Sequence, residues 1–484
     1  MTDTGRGRRR MSFLVLTLSA VAFSSLQSLL VPVLTHIEHT FHTDQRTVVW
    51  VLTAYLLSAS ILTPVLGRVG DMVGKRRMLV VTLAALTVGS ALAALAPSVG
   101  WLIAARVIQG AGGGVMPLAF GIIRDLYGEA RVSRAVSVLA AIGALGYGAG
   151  IIAAGPVIDV LGYPWLFWLP TITTALAALA ARVVIPDSPV RGPQGLPLFP
   201  ALLLSVALVA LLVALSEGNV RGWVTPGILG LVALSVLAGA GWIWTETRVP
   251  VPMIDMAMMR RRGVWSSNCV SALLGFGMFA GFAFLPQLMQ TPPEAGYGFG
   301  STISESGRLM LPSALAMFVV GFATSPLVRR FGSRAVTVSG SALGSLSFLG
   351  LAGFHATPWQ TCVAATFLGV GLGLVFATVA GVVVSAVPPE QTGVASGMNA
   401  NIRTIGGSLG AAVMGAIVTT RVSATGHPPE SAYTLGFATL GVALALGSIA
   451  ALFVPAPRGR LIESSTRDTA LAGSGDVAPS GRVP

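Results

Sequence analysis

Charge is scarce in this sequence. Lysine, arginine, aspartate and glutamate together make up 10% of the 484 residues, against 54% apolar, too few to cover a soluble core of this size with hydrated surface. Carboxylates are scarcer than cations, 18 against 30, and Lys75 is the sole lysine. A net charge of +12 would direct a soluble chain toward nucleic acid, but here the cations sit in short segments between long apolar runs, so no nucleic-acid partner is expected. Cysteine is limited to Cys269 and Cys362, both inside apolar runs, which argues against a disulfide framework or a thiolate metal site. No glycine-rich phosphate loop, metal-ligand cluster or nucleophile elbow interrupts the runs, so neither a nucleotide-driven pump nor an enzyme is indicated, and no cofactor is called for. His36, His39 and His42 read as solvated loop histidines.

What the chain has is apolar runs of membrane-spanning length. They predict an all-α polytopic membrane protein with about fourteen helices: near 13–35, 48–67, 78–97, 101–124, 135–157 and 165–184, then 198–216 and 226–244, then 264–290, 303–326, 335–354, 359–387, 397–420 and 433–454. This divides the chain into a basic N-terminus (1–12), a six-helix bundle (13–185), a Pro/Gly linker (186–197), an inserted helix pair with a basic loop (198–263), a second six-helix bundle (264–454) and a polar tail (455–484). The inserted pair carries few polar groups and reads as lipid-facing. The opening run continues past Val31 with no cleavage pattern, so it is a span and not a secretory signal. Every second loop is basic, including Arg8 to Arg10, Lys75 to Arg77, Arg260 to Arg262 and Arg329 to Arg334, whereas the intervening loops hold singletons such as Arg46, Arg221 and Arg421. That asymmetry predicts a multi-pass membrane protein with both termini cytoplasmic, and a bacterial plasma membrane is its expected location.

Two segments repeat. Gly67, Arg68, Asp71, Gly74, Lys75, Arg76 and Arg77 form a glycine-spaced charged cluster between two runs, and Ser325 to Arg334 echo it, with Arg329 where Asp71 would fall. Gly332 follows Gly74 by 258 positions (332 − 74), the interval needed for six helices plus the inserted pair, so two parallel halves are expected. Three other segments carry polar or small residues inside apolar runs. Arg106 and Gln109 lie three apart on one helix face, and a cation there costs about 3 kcal/mol or more unless it meets a polar cavity or partner. Gly146, Gly150, Gly155 and Pro156 mark a helix that packs closely or bends. Asn399, Asn401 and Arg403 place amides and a cation on a helix rich in small residues.

Taken together, the Gly67–Arg77 loop, the Arg106 segment, the Gly146–Pro156 segment and the Pro388–Gly410 segment resemble the fourteen-span drug:proton antiporter branch of the major facilitator superfamily. The resemblance implies two six-helix bundles that alternate access to a central site, with Gly67, Asp71, Gly74, Lys75 and Arg76 as a conformational latch. It implies proton coupling through Arg106, and a cavity lined from the first, fourth, ninth and twelfth helices. Candidate substrate contacts are Gln27, Gln109, Asn268, Phe279, Phe282, Gln287, Asn399, Asn401 and Arg403, a mixture suited to bulky amphipathic molecules.

Two departures qualify the match. Ile151 follows Gly150 where the family usually has proline, and Gln27 stands where many relatives carry a first-helix aspartate. Glutamine cannot carry a proton, so any coupling falls to Asp71, Asp125, Glu129, Asp159 or Glu305, of which only Glu305 has a cation, Arg308, at i+3 within an apolar helix. The leading expectation is a monomeric secondary transporter in the lipid bilayer exporting drug-like or antibiotic-like molecules by proton antiport. Facilitated or differently coupled uptake is the alternative, and a nontransporting sensor or scaffold is the reading from another class.

Overall fold

The computed structural model of the chain describes residues 3–43, 45–127, 129–187, 195, 197–250, 252–419 and 428–456. Most of the expected 186–197 linker and of the 455–484 tail, with Arg191 and Arg421, lies outside them. The described residues are helical with no strand. Among the described residues, thirteen helices are long and apolar enough to cross a membrane. One of them, Ile303–Gly353, has 51 residues, about 76 Å at 1.5 Å per residue, more than twice a hydrocarbon core. Gly332 leaves helical space within it at φ 84°, ψ 156°, which separates two spans and makes fourteen.

The first half comprises α1 (Asp3–Leu29), α2 (Gln45–Val73), α3 (Lys75–Ala94), α4 (Val99–Leu126, with a 3-10 turn at Gly110–Gly114), α5 (Glu129–Leu161) and α6 (Trp165–Val184). The inserted pair is α7 (Leu198–Arg221) and α8 (Pro226–Glu246). The second half comprises α9 (Arg262–Gln290), α10 (303–331), α11 (333–353), α12 (Pro358–Ser385), α13 (Thr392–Thr419) and α14 (Glu430–Ala451). The surface where α1 begins is the near face and the opposite surface the far face. The apolar cores follow the halves except at the boundary, where Ala144, Tyr147 and Ile151 of α5 join the core of the second half, and the halves meet along α2 with α13 and α5 with α10.

Three boundaries differ from expectation for physical reasons. Residues 3–12 are helical and extend the first span, and that span stops at Leu29 because Pro32 breaks the hydrogen-bond ladder into a 3-10 turn, Val31–Val33. The second charged cluster is not a loop, since α10 runs through it and only Gly332 breaks the helix. The inserted pair is not uniformly lipid-facing. α8 has 17% of its span buried, but α7 has 44%, because α7 lies against both α2 and α13. Thr53 Oγ1 and Ser216 Oγ are 2.7 Å apart, and Asn219 Nδ2 donates to the Ala412 carbonyl at 2.7 Å. One inserted helix therefore touches both halves.

Candidate functional site

The near-face cluster is built as a helix end, a one-residue turn and a helix start. α2 runs to Val73, α3 begins at Lys75, and Gly74 makes the turn at φ 121°, ψ 125°, a region nearly closed to residues with a Cβ. Asp71 is 1% exposed. Its Oδ2 accepts from the Val394 amide at 3.3 Å, in the first turn of α13, where unpaired N–H groups and the helix dipole favour a carboxylate. A Cβ added to Gly67 would stand 2.8 Å from the Gly393 carbonyl oxygen, so α2 and α13 cross backbone to backbone at this point.

Lys75 is also 1% exposed. Its Nζ lies 3.0 and 3.2 Å from the two Asp125 oxygens and 3.9 Å from Asp71. The preceding residue, Arg124, reaches the other half: it donates to Thr392 Oγ1 at 3.0 Å and to the Val384 carbonyl. Two adjacent residues of α4 thus hold the latch from both sides. Arg76 acts within its own half, with Nη2 2.8 Å from Asp187 Oδ1 and Nη1 donating to the Ile185 carbonyl at 3.3 Å. Glu246, the last residue of α8, is buried beside this cluster and accepts from Trp242 Nε1 at 3.2 Å and the Met253 amide at 2.9 Å.

The far face has its own contact between halves. Asp159 Oδ2 on α5 accepts from Ser304 Oγ on α10 at 2.7 Å, and a Cβ on Gly155 would stand 2.5 Å from the same hydroxyl. Pro156 lies beside that contact inside a continuous helix. Gly146 and Gly150 face α1 instead: Ser25 Oγ donates to the Gly146 carbonyl at 2.9 Å, and a side chain on Gly150 would overlap Ser28. The small residues of α5 therefore serve two interfaces, one within a half and one between halves.

Between these faces lie two cations. Arg106 is fully buried and supplied with neutral partners: Nε donates to the Val51 carbonyl at 3.2 Å, Nη1 to Gln109 Oε1 at 2.7 Å, and the guanidinium stands 4.2 Å over the Tyr55 ring. Gln109 passes the chain on to Ser90 Oγ at 3.0 Å. Arg403 on α13 has far less. Its guanidinium lies 4.5 Å over the Phe376 ring, a contact returning about 1–2 kcal/mol against about 3 kcal/mol or more for a cation at mid-span. Among the described residues, no carboxylate is within ion-pair reach of either arginine.

The other cavity candidates divide. Asn399 receives from Ser271 Oγ at 3.1 Å and donates to Asn268 Oδ1 at 2.9 Å, tying α13 to α9. Asn401 is 2% exposed, and its amide has no hydrogen-bond partner among the described residues. Phe279 and Phe282 of α9 pack on Tyr147 of α5, with ring centroids 6.0 and 5.5 Å apart, and so lie across the boundary between halves. Gln27 is half-buried and Gln287 exposed, and neither joins these groups. Glu305 and Arg308 do not form a membrane-buried acid and cation. Glu305 is 49% exposed at the far face, where it closes a capping box with Thr302 at the start of α10, and Arg308 lies 3.7 Å away and more exposed still.

Sequence reasoning missed Arg124, the pairing of Lys75 with Asp125, and the Asp159–Ser304 contact. The adjacent basic and acidic residues closing α4, directly after the Arg106 segment, were the one available signal.

A family model described as the Major Facilitator Superfamily matches residues 13–411, and again 275–473. The chain is 29% identical over 391 residues to the tetracenomycin C resistance and export protein of Streptomyces glaucescens, covering 80% of this chain and 71% of that protein. It is 28% identical over 377 residues to the multidrug transporter protein MdtP of Bacillus subtilis (77% and 68% covered), and 29% identical over 392 residues to a multidrug resistance protein B homolog of Mycobacterium tuberculosis (78% and 70%). Among solved structures, that of the human organic anion transporter MFSD10 superposes with a TM-score of 0.67 at 16% identity, over 92% of this chain and 99% of that one, a likeness of fold. With the family model covering most of its length and its helices arranged in that fold, the chain belongs to the Major Facilitator Superfamily and is a membrane transporter, not an enzyme.

Proposed function

We propose that the chain exports drug-like or antibiotic-like amphipathic molecules from a bacterial cytoplasm by alternating access, coupled to proton entry. The near face is then cytoplasmic, in keeping with its arginines and the positive-inside rule. The observation that carries the reading is that two carboxylates of the first half, Asp71 and Asp159, accept hydrogen bonds from the second half at opposite faces. Breaking one pair while the other holds gives the two access states. Export, rather than uptake, rests on the named activities of the relatives.

Protonation of Asp71 would remove the charge that the α13 amides attract and would loosen the cytoplasmic contact, linking a proton to opening. A second reading, facilitated or differently coupled transport, is favoured by Gln27 and by the position of the acids, since no span holds an aspartate or glutamate near its middle.

Everted vesicles carrying an inward proton gradient, a pH-sensitive dye and a panel of amphipathic compounds separate the two. Antiport requires proton release on compound addition, abolished in the Arg106→Ala protein. Movement of radiolabelled compound with no proton signal contradicts coupling and selects the second reading. No compound movement at all contradicts export.

A further inference from the structure

We infer that the transported molecules carry an acidic group, and that Arg403 is the cation that receives it; the inference rests on the transport reading above. Arg403 is the twelfth residue of α13, about 16 Å from its cytoplasmic end and therefore deep in the bilayer. It lines a small cavity between the halves, with Met116 and Phe120 contributed by α4 of the first half and Phe376 by α12 of the second. The volume is about 20 Å³, room for a single water, so the site as seen is closed and becomes accessible only when the halves part.

Three observations converge on an anion. The first is that Arg403 has a ring face and no oxygen partner among the described residues, whereas Arg106 already gives its Nε to a carbonyl and its Nη1 to an amide oxygen and leaves only Nη2 without an acceptor. The second is Ser396, 6% exposed, which lines the same cavity and whose hydroxyl has no hydrogen-bond partner. A carboxylate or phenolate could accept from both. The third is the distribution of acids. Every aspartate and glutamate within the described spans lies within five residues of a helix end, so no described acid neutralises a mid-membrane guanidinium, and a lipophilic cation entering there would meet like charge.

The cytoplasmic approach has the same sign. A cleft of about 480 Å³ between α5, α10 and α12 is ringed by Arg134, Arg261 and Arg329, with no acidic residue in its lining among the described residues. Topology alone accounts for arginines at that face, whereas it does not account for Arg403. Phe120 and Phe376 on either side of the cation suit an aromatic or polycyclic body attached to the acid.

Three pyrene probes of matched shape test this: pyrenebutyric acid, its methyl ester and pyrenebutylamine, titrated by fluorescence against the purified full-length protein in lipid nanodiscs. The acid should bind at least about 10-fold more tightly than ester or amine, the difference expected for a charge-assisted pair. Arg403→Gln should erase that preference, bringing the acid to the affinity of the ester, and Arg403→Lys should keep part of it. Equal binding of all three by the unaltered protein, a preference for the amine, or no saturable binding of the acid would overturn the proposal, and none of these depends on how a variant folds. Transport of the same probes in proteoliposomes is scored separately: binding of the acid without movement would count against the transport reading and leave the assignment of Arg403 standing.

Discussion

Asp71 on α2 and Val394 on α13 are joined by a 3.3 Å hydrogen bond across the boundary between the halves, where the Gly67 and Gly393 backbones also meet. The carboxylate is 1% exposed and its other near neighbour, Lys75 at 3.9 Å, belongs to its own half, so across the boundary the bond and the close approach form one device. Asp71→Asn should keep the shape and lose the charge attraction, and Gly67→Ala should keep the charge and force the helices apart. Each is expected to lower transport by about 10-fold or more, the double variant by little more than either alone, as for residues acting together. Additive losses would mean the two act independently.

Gly74 and Gly332 hold positive φ at equivalent points of the two halves. Replacing either with alanine should destabilise the protein by about 1–2 kcal/mol, read as a lowered Tm of the detergent-solubilised protein. Gly350→Ala, in open helical space, should be neutral or slightly stabilising.

Tyr55 supports Arg106 through its ring face. Tyr55→Phe should transport at close to the unaltered rate, and Tyr55→Leu should lose most activity while the protein still elutes as a single folded species. Equal loss in both would shift the weight to the hydroxyl.

Glu305→Gln removes a charge at an exposed helix cap. The expected result is at most a slightly lowered Tm, since glutamine can still close the capping box, with the compound-dependent proton signal unchanged. A lost proton signal with normal binding would restore Glu305 as a carrier.

The two halves were legible because their turns are. Gly74 and Gly332 are backbone requirements, and such requirements leave glycines at a fixed interval in the chain. Apolar runs likewise gave the helices to within several residues, except where Pro32 and the continuous α10 set limits that hydropathy does not register. The partners of Lys75 and Asp159 were not legible, since Asp125 and Ser304 are 50 and 145 residues away and no periodicity links them. α7 departs from its hydropathy pattern for a simpler reason. Its bridging residues, Ser216 and Asn219, lie at its far end, and the apolar run ends at residue 216, short of the amide that reaches α13. Arg403 was marked by its sequence as a polar group in a span, but only the packing reveals that its neighbours leave it without an acid.

Alternating access is most directly tested by two distances in one protein. With Cys269 and Cys362 replaced by serine, spin labels at Arg131 and Arg330 report the near face, and labels at Val160 and Trp359 report the far face, all four positions being exposed. Adding a transported compound or lowering the pH should lengthen one distance and shorten the other, and Asp71→Asn should shift the population toward a longer near-face distance. Distances that stay fixed, or that change together in the same direction, would contradict the account.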